Sequence, residues 1–153
     1  MPLKVIDQAQ TYHRKDSVTV LVVEDHAVVR HALTESLRWH GYNVLTAANG
    51  RDAIKHISTS RVHVIVLDLM IPPPDGFEVL DIIQRHKQSW GGFPYSIVIS
   101  CRDEEDDLER LERLGADEFA HKPFRVPVIA ERIERFKRSL TFTDGGFTVE
   151  PAD

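Results

Sequence analysis

The chain has 153 residues, enough for one domain of ordinary size and hardly for two. Hydrophobic residues make up 42% and charged residues 28%, as in soluble globular proteins, and a net charge of −5 argues against nucleic-acid binding by charge alone. The single cysteine, Cys101, excludes an internal disulfide and a cysteine-built zinc site, and it fits a reducing compartment.

Five apolar segments alternate along the chain with five segments whose apolar residues have helical spacing. The predicted strands are residues 18–23, 42–47, 62–67, 95–99 and 117–120. The predicted helices are residues 27–40, 50–57, 76–86, 104–114 and 126–137. Because each strand–helix–strand crossover is right-handed, this alternation predicts an α/β fold, a doubly wound five-stranded parallel sheet flanked by five helices.

Apolar side chains at helical spacing predict which face of a helix turns toward the sheet. They are Val28, Leu33 and Leu37 in the first helix, Phe77, Leu80 and Ile83 in the third, and Leu108, Leu111 and Leu114 in the fourth.

Both ends of the chain lie outside this pattern, which covers a domain from residue 18 to 138. Residues 1–17 are mixed and polar, typical of a tail or an added arm, and they lack the apolar core of a signal peptide. Residues 139–153 form an extension in which two alternating runs flank an Asp-Gly-Gly turn, which predicts a β-hairpin over 140–149. An isolated hairpin is marginal in water, so we expect it to dock or to fray. No stretch is long enough to span a membrane, and we expect a cytoplasmic protein.

The most informative residue is Asp68, which follows the apolar run Val62–Leu67. A β-branched run that ends in a carboxylate predicts a buried parallel strand delivering an acid to the carboxyl edge of the sheet. In open α/β sheets that edge is where ligands bind. Four further polar residues stand at the ends of other predicted strands: Glu24, Asp25, Ser100 and Lys122.

Carboxylates that converge at one edge repel each other unless a cation lies between them, and a hard divalent ion suits oxygen ligands. A carboxylate can also attack a phosphoryl group to form an acyl phosphate. Catalysis of that step is mostly positioning and charge neutralisation, here by a metal ion together with Lys122. The residues therefore predict phosphoryl transfer to Asp68 with Mg²⁺ (or Mn²⁺) as cofactor.

The order and spacing of these residues resemble the receiver domain of two-component response regulators, over about residues 18–137. Four segments carry the resemblance: VLVVEDHAVVR, VIVLDLMIPPPDGFEVL, VIS and GADEFAHKPF. The resemblance implies a flavodoxin-like fold and a phosphorylation-controlled signalling switch. Its phosphodonor would be a sensor histidine kinase or a histidine phosphotransfer protein, and no membrane contact or direct nucleic-acid binding by this chain is expected.

By this resemblance Asp68 is the phospho-acceptor and a metal ligand. Asp25 would bind Mg²⁺ directly, Glu24 would bind it through water, and the Met70 backbone carbonyl would complete the protein ligands.

The resemblance also assigns the phosphoryl-binding and switch residues. Lys122 would pair with one phosphoryl oxygen, oriented by Pro123 after a cis peptide bond, and the Ser100 hydroxyl would bind another. Ser100 and Phe119 would form the switch, and because phenylalanine has no hydroxyl we expect the inward state of Phe119 to be populated before phosphorylation.

Three features depart from the family pattern. The sequence Pro72-Pro73-Pro74 stiffens the loop before the third helix, and Cys101 replaces a small alanine; both raise the question of hindered phosphorylation. Met70 and Arg102 occupy the positions that in this family tune hydrolysis, and neither orients water well. We therefore expect a long-lived phosphoryl state.

The face formed by the fourth helix, the fifth strand and the last helix would change on phosphorylation and control an output. Charged residues on this face make it a candidate surface for a symmetric homodimer: Arg110, Arg113, Asp117 and Arg132. The chain contains no recognisable output domain, so a stand-alone receiver, a relay module and the receiver part of a DNA-binding regulator all stay open.

Each residue also has a purely structural interpretation: Asp68 as a turn cap, Glu24-Asp25 as a helix cap, Lys122 as a surface lysine and Phe119 as plain core. Two other functions compete with the switch. A degenerate receiver would act as an interaction scaffold, whereas a phosphatase on this fold would need a second acid where Met70 stands. That absence argues against a turnover enzyme.

Overall fold

The computed structural model of the chain describes residues 17–143 and 146–149. Five parallel strands form one sheet: Thr19–Val23 (β1), Asn43–Ala47 (β2), Val64–Asp68 (β3), Tyr95–Ser100 (β4) and Glu118–His121 (β5). The helices between and after them are Ala27–Trp39 (α1), Gly50–Thr59 (α2), Gly76–His86 (α3), Glu105–Arg113 (α4) and Val126–Lys137 (α5). The strand order is β2-β1-β3-β4-β5, so the predicted fold class is confirmed.

The core lies in two layers, one on each face of the sheet, because successive residues of a strand point to opposite faces. Val20, Val22, Val64 and Val66 share a cluster with buried residues of α1 and α5. Their neighbours along the same strands pack with residues of α2, α3 and α4 on the opposite face. β1 and β3 are therefore buried on both faces, and their carboxyl ends are fixed in position. None of the helices among the described residues combines the length and the apolar composition that a bilayer-spanning helix needs.

The predicted helix faces are correct for α3 and partly wrong for α1 and α4. Leu33 and Leu37 are buried, but Val28 is 71% exposed and Val29 packs against the core instead. Positions 29, 33 and 37 are four residues apart, so they form one stripe of the helix from which position 28 is excluded.

In α4 the buried stripe also differs from the predicted one. Leu111 is buried and Leu114 packs against the core as expected, whereas Leu108 is 38% exposed. Asp107 takes the buried position one turn before Leu111 and is only 8% exposed. A carboxylate thus occupies a place where the helix periodicity predicts an apolar residue.

The proline loop packs against the start of α2. A Cβ atom added at Gly50 would lie 1.8 Å from the Pro74 carbonyl oxygen, so only glycine allows this approach. The Gly50 N–H donates to the Pro72 carbonyl at 3.4 Å, and the Pro73–Pro74 peptide bond is cis. The stiff loop predicted from three prolines is therefore also held against a neighbouring helix.

The predicted hairpin is present and docked. Leu140–Thr143 (β6) and Gly146–Val149 (β7) pair antiparallel, and its predicted turn at 144–145 lies outside the described residues. Phe147 is buried at the amino edge of the sheet, 5.3 Å from the ring of His63, which also meets Phe93 edge-on at 5.1 Å. The hairpin thus adds an aromatic contact at the end of the sheet opposite Asp68.

Acid is expected to lower the stability of the fold through His63. Burial lowers the pKa of His63 from 6.5 to about 4, with a smaller contribution from Arg61, and His63 Nδ1 accepts the Thr19 N–H at 2.9 Å. Between these two pH values the unfolded chain binds a proton that the folded chain excludes, so stability falls as pH drops through that window. The full shift is worth about 3 kcal/mol.

His63→Asn removes the titration while its side-chain oxygen remains able to accept a hydrogen bond from Thr19. Urea unfolding near neutral pH and at about pH 4.5 should therefore show a smaller loss of stability in the variant than in the wild type. Equal losses in the two proteins would contradict the assignment.

Candidate functional site

Three carboxylates converge at the carboxyl edge of the sheet. Glu24 follows β1 and is fully buried, Asp68 ends β3 and is 3% exposed, and Asp25 is exposed. One carboxylate oxygen from each lies within 4.8 Å of the other two. Because β1 and β3 are adjacent parallel strands, their ends deliver these groups to one place.

Lys122 binds two of the three carboxylates. Its ammonium donates to both oxygens of Glu24 at 2.9 Å and to Asp68 Oδ2 at 3.0 Å. The lysine follows β5, its backbone N–H donates to the Ser100 carbonyl at 2.8 Å, and its peptide bond to Pro123 is cis. The backbone around Lys122 thus aims the amine inward across the end of the sheet.

Burial dominates the electrostatics of this group of side chains. Burial, a hydrogen bond to Asp68 and its negative charge raise the pKa of Glu24 to about 7, although Lys122 acts in the opposite direction. Burial disfavours the charged form of Lys122, but its hydrogen bonds to Glu24 and Asp68 outweigh this and raise its pKa. The lysine stays protonated, and a further cation would relieve the repulsion among the carboxylates.

Both oxygens of Asp68 have partners. Oδ2 accepts from Lys122, and Oδ1 accepts the Met70 backbone N–H at 3.0 Å. In the next strand, the buried Ser100 hydroxyl accepts the Arg102 backbone N–H at 3.0 Å. Each side chain is held by the residue two positions later, so the loops that follow β3 and β4 begin with fixed geometry.

Two further residues shape the site and were not found from the sequence. Arg30 of α1 donates to the backbone carbonyls of Glu24 at 2.9 Å and Asp25 at 3.3 Å, which fixes the acidic turn. Asp107 of α4 binds the Arg102 guanidinium through both carboxylate oxygens at 3.0 Å. Arg30 binds backbone carbonyls, which leave no pattern in the sequence, and the one signal for the second pair is an opposite charge five residues from Arg102.

The remaining candidate residues lie around this centre. Phe119 of β5 is half-buried and packs against the core cluster on the face covered by α2, α3 and α4. Cys101 is exposed beside Ser100. The proline loop lies over the start of α2.

The candidate dimer residues lie on or beside α4, β5 and α5: Arg110, Arg113, Asp117 and Arg132. Asp117 accepts the Ser96 backbone N–H at 2.8 Å, and Arg132 forms an ion pair with Glu118 at 2.7 Å. These two residues therefore have partners within the chain and would have to exchange them to join a second copy.

Comparison with known proteins gives a consistent result. The family model of the response regulator receiver domain matches residues 20–134. The chain is 35% identical over 128 residues to response regulator MprA of Mycolicibacterium vanbaalenii, covering 84% of this chain and 54% of that protein. It is 38% identical over 120 residues to transcriptional regulatory protein AfsQ1 of Streptomyces coelicolor, covering 78% and 51%. The chain spans about half the length of the curated relatives it matches.

Solved structures extend the likeness to three dimensions. Chemotaxis response regulator CheY4 of Vibrio cholerae has a TM-score of 0.70 at 27% identity and covers 78% of this chain and 98% of its own. The receiver domain of Francisella response regulator 1452 has a TM-score of 0.70 at 28% identity, with coverage of 80% and 98%. The likeness therefore extends over the five-stranded sheet and its helices.

Removal of the lysine charge should destabilise the fold. Lys122→Met leaves the carboxylates of Glu24 and Asp68 close together without the ammonium between them, at a cost of about 1–3 kcal/mol. Urea unfolding without divalent ions at neutral pH measures this loss. The matched control is Lys55→Met, because Lys55 is exposed on α2 and a change there is expected to stay within about 0.5 kcal/mol. The same stability change in both variants would refute the neutralising role of Lys122.

Proposed function

The chain belongs to the response regulator receiver family, and we propose that it is a phosphorylation-controlled switch in which Asp68 accepts a phosphoryl group from a histidine kinase or a histidine phosphotransfer protein. The observation that carries this proposal is the placement of Lys122 at 3.0 Å from Asp68, beside two further carboxylates. A role for Asp68 as a turn cap alone would not explain a lysine and two further carboxylates beside it.

The transfer forms one bond and breaks one. An Asp68 oxygen attacks the phosphorus of a phosphohistidine, and the phosphorus–nitrogen bond breaks as the phosphorus–oxygen bond forms. The imidazole nitrogen keeps the electron pair and takes a proton from solvent. Lys122 already contacts Asp68 Oδ2, so its charge offsets the negative charge that gathers on the carboxylate and the phosphoryl oxygens.

A divalent cation fits the donor set. The clustered carboxylates of Glu24, Asp25 and Asp68 offer only oxygen atoms, which suits Mg²⁺ (or Mn²⁺), and the Met70 backbone carbonyl would add another oxygen. Burial and the charge of Asp68 raise the pKa of Glu24, and a bound cation would favour its charged form. When bound, the ion supplies charge neutralisation for the phosphoryl oxygens.

The added phosphoryl group carries a charge of about −1.5 to −2 near neutral pH. The new hydrogen bonds to its oxygens would drive the conformational change of the switch. The Ser100 hydroxyl turns to a phosphoryl oxygen, and Phe119 moves further into the core beside it. The resulting change would reach α4, because Phe119 of β5 shares a core cluster with Leu111 and Leu114, and would pass through β5 to α5.

The output is proposed from the relatives. Several are named transcriptional regulators, and the match covers about half of the length of each. We take residues 18–138 as the switch and 139–153 as the extension, whose docked hairpin would lead toward a DNA-binding output in a longer protein.

The first test is phosphoryl uptake. Incubation with acetyl phosphate and Mg²⁺ should add one phosphoryl group per chain, detected by intact mass, and Asp68→Asn should abolish the uptake because it removes the nucleophile. Asp81→Asn, a change at a surface carboxylate of α3, should leave it intact. Absence of uptake by the wild type would favour an interaction scaffold, and rapid turnover of many phosphate esters would favour a phosphatase.

The second test is cation affinity. Asp25→Asn removes an exposed ligand with little effect on folding and is expected to weaken Mg²⁺ binding by about tenfold or more, because one of few charged ligands is lost. Isothermal titration calorimetry measures the affinity, again with Asp81→Asn as the control. Unchanged affinity in Asp25→Asn would remove Asp25 from the ligand set.

A further inference from the structure

A chain of contacts crosses the outer side of the site. Arg102 donates from Nε and Nη2 to the two carboxylate oxygens of Asp107, both at 3.0 Å, and its Nη1 lies 3.7 Å from the Met70 sulfur. Asp107, Arg102 and Met70 are called the Arg102 strap below. The strap joins the start of α4 to the loop after β4 and the loop after β3.

Two residues of the strap, Met70 and Arg102, also bind the side chains of Asp68 and Ser100 through their backbones. The Met70 N–H binds Asp68 Oδ1 and the Arg102 N–H binds Ser100 Oγ, each at 3.0 Å. Their side chains therefore leave the backbone directly beside Asp68 and Ser100 and meet on the solvent side. Met70 is 52% exposed and the Arg102 side chain 43% exposed, so they form the outermost layer at this place.

Asp107 gives the strap its fixed end. Its side chain is 11% exposed, and it lies in the stripe of α4 from which Leu111 and Leu114 pack against the core. A two-point carboxylate–guanidinium pair fixes the orientation of the arginine as well as its distance. A thioether is only a weak acceptor, so Met70 alone would not hold Arg102 in this position.

We propose that Asp107 is a positioning residue that holds Arg102 against Met70 and thereby lengthens the life of the phosphoryl group on Asp68. The proposal rests on the proposed function of Asp68. In hydrolysis, a water oxygen attacks phosphorus, the bond from phosphorus to the Asp68 oxygen breaks, and the water proton passes to solvent. The products are the free carboxylate and inorganic phosphate. Because Met70 and Arg102 are held beside Asp68 and Ser100 and face solvent, the strap would hinder the entry of water on this side of the site.

A simpler role for Asp107 is stabilisation of the amino end of α4, whose first turn also contains Glu105 and Asp106. Asp106 is exposed and adjacent, so Asp106→Asn removes the same charge from the same turn and leaves the strap intact. Arg102→Lys separates charge from geometry, because lysine keeps the positive charge but lacks the two-point fork.

The experiment phosphorylates the full chain with acetyl phosphate and Mg²⁺, removes the donor and follows decay of the phosphoprotein by intact mass. Asp107→Asn and Arg102→Lys should each hydrolyse about twofold to fivefold faster than the wild type, the effect of a partly exposed ion pair. Asp106→Asn should match the wild type. The double variant should decay no faster than Arg102→Lys alone, because Asp107 acts through Arg102.

Three results would overturn the inference while leaving the proposed function in place, provided that uptake is lost in Asp68→Asn. They are unchanged decay in Asp107→Asn, equal acceleration in Asp106→Asn, and additive acceleration in the double variant. Uptake that persists in Asp68→Asn would instead overturn the proposed function, and this inference with it.

Discussion

One ammonium shared by two buried carboxylates is the interaction on which the rest of the structure depends. Lys122 reaches Glu24 and Asp68 because β1, β3 and β5 all end at the same edge of the sheet, and its side chain crosses the end of β4 between them. The buried central strands and the helices on both faces hold this geometry. A buried charged group is costly unless it is paired. The fold must therefore keep these strand ends together, and the site depends on the same arrangement.

The same constraint explains how the chain would respond to a phosphoryl group. Burial and the charge of Asp68 raise the pKa of Glu24, so a cation beside these carboxylates would favour their charged forms before a phosphoryl group enters. The two loops beyond Asp68 and Ser100 are tied back to these side chains. A change at the carboxylate is therefore transmitted to loop backbone directly, without a long path.

Much of the fold followed from the sequence because its central signal is local. Short apolar runs alternating with helical spacing predicted all five strands and helices, and polar residues at strand ends predicted which groups meet at the carboxyl edge. The exposed Val28 and Leu108 were assigned to the wrong face, because the rotation of a helix is set by its packing against the sheet. The burial of Asp107 and the docking of Phe147 beside His63 depend on contacts between distant elements, which periodicity does not encode.

The most direct test of the central claim is the chemical identity of the phosphorylated residue. Treatment of the phosphorylated chain with borohydride reduces an aspartyl phosphate to homoserine, which peptide mass spectrometry locates. Since Lys122 and the neighbouring carboxylates converge on Asp68, homoserine is expected at position 68 and nowhere else. Homoserine at another aspartate, or none in a chain that carries phosphate, would contradict this account.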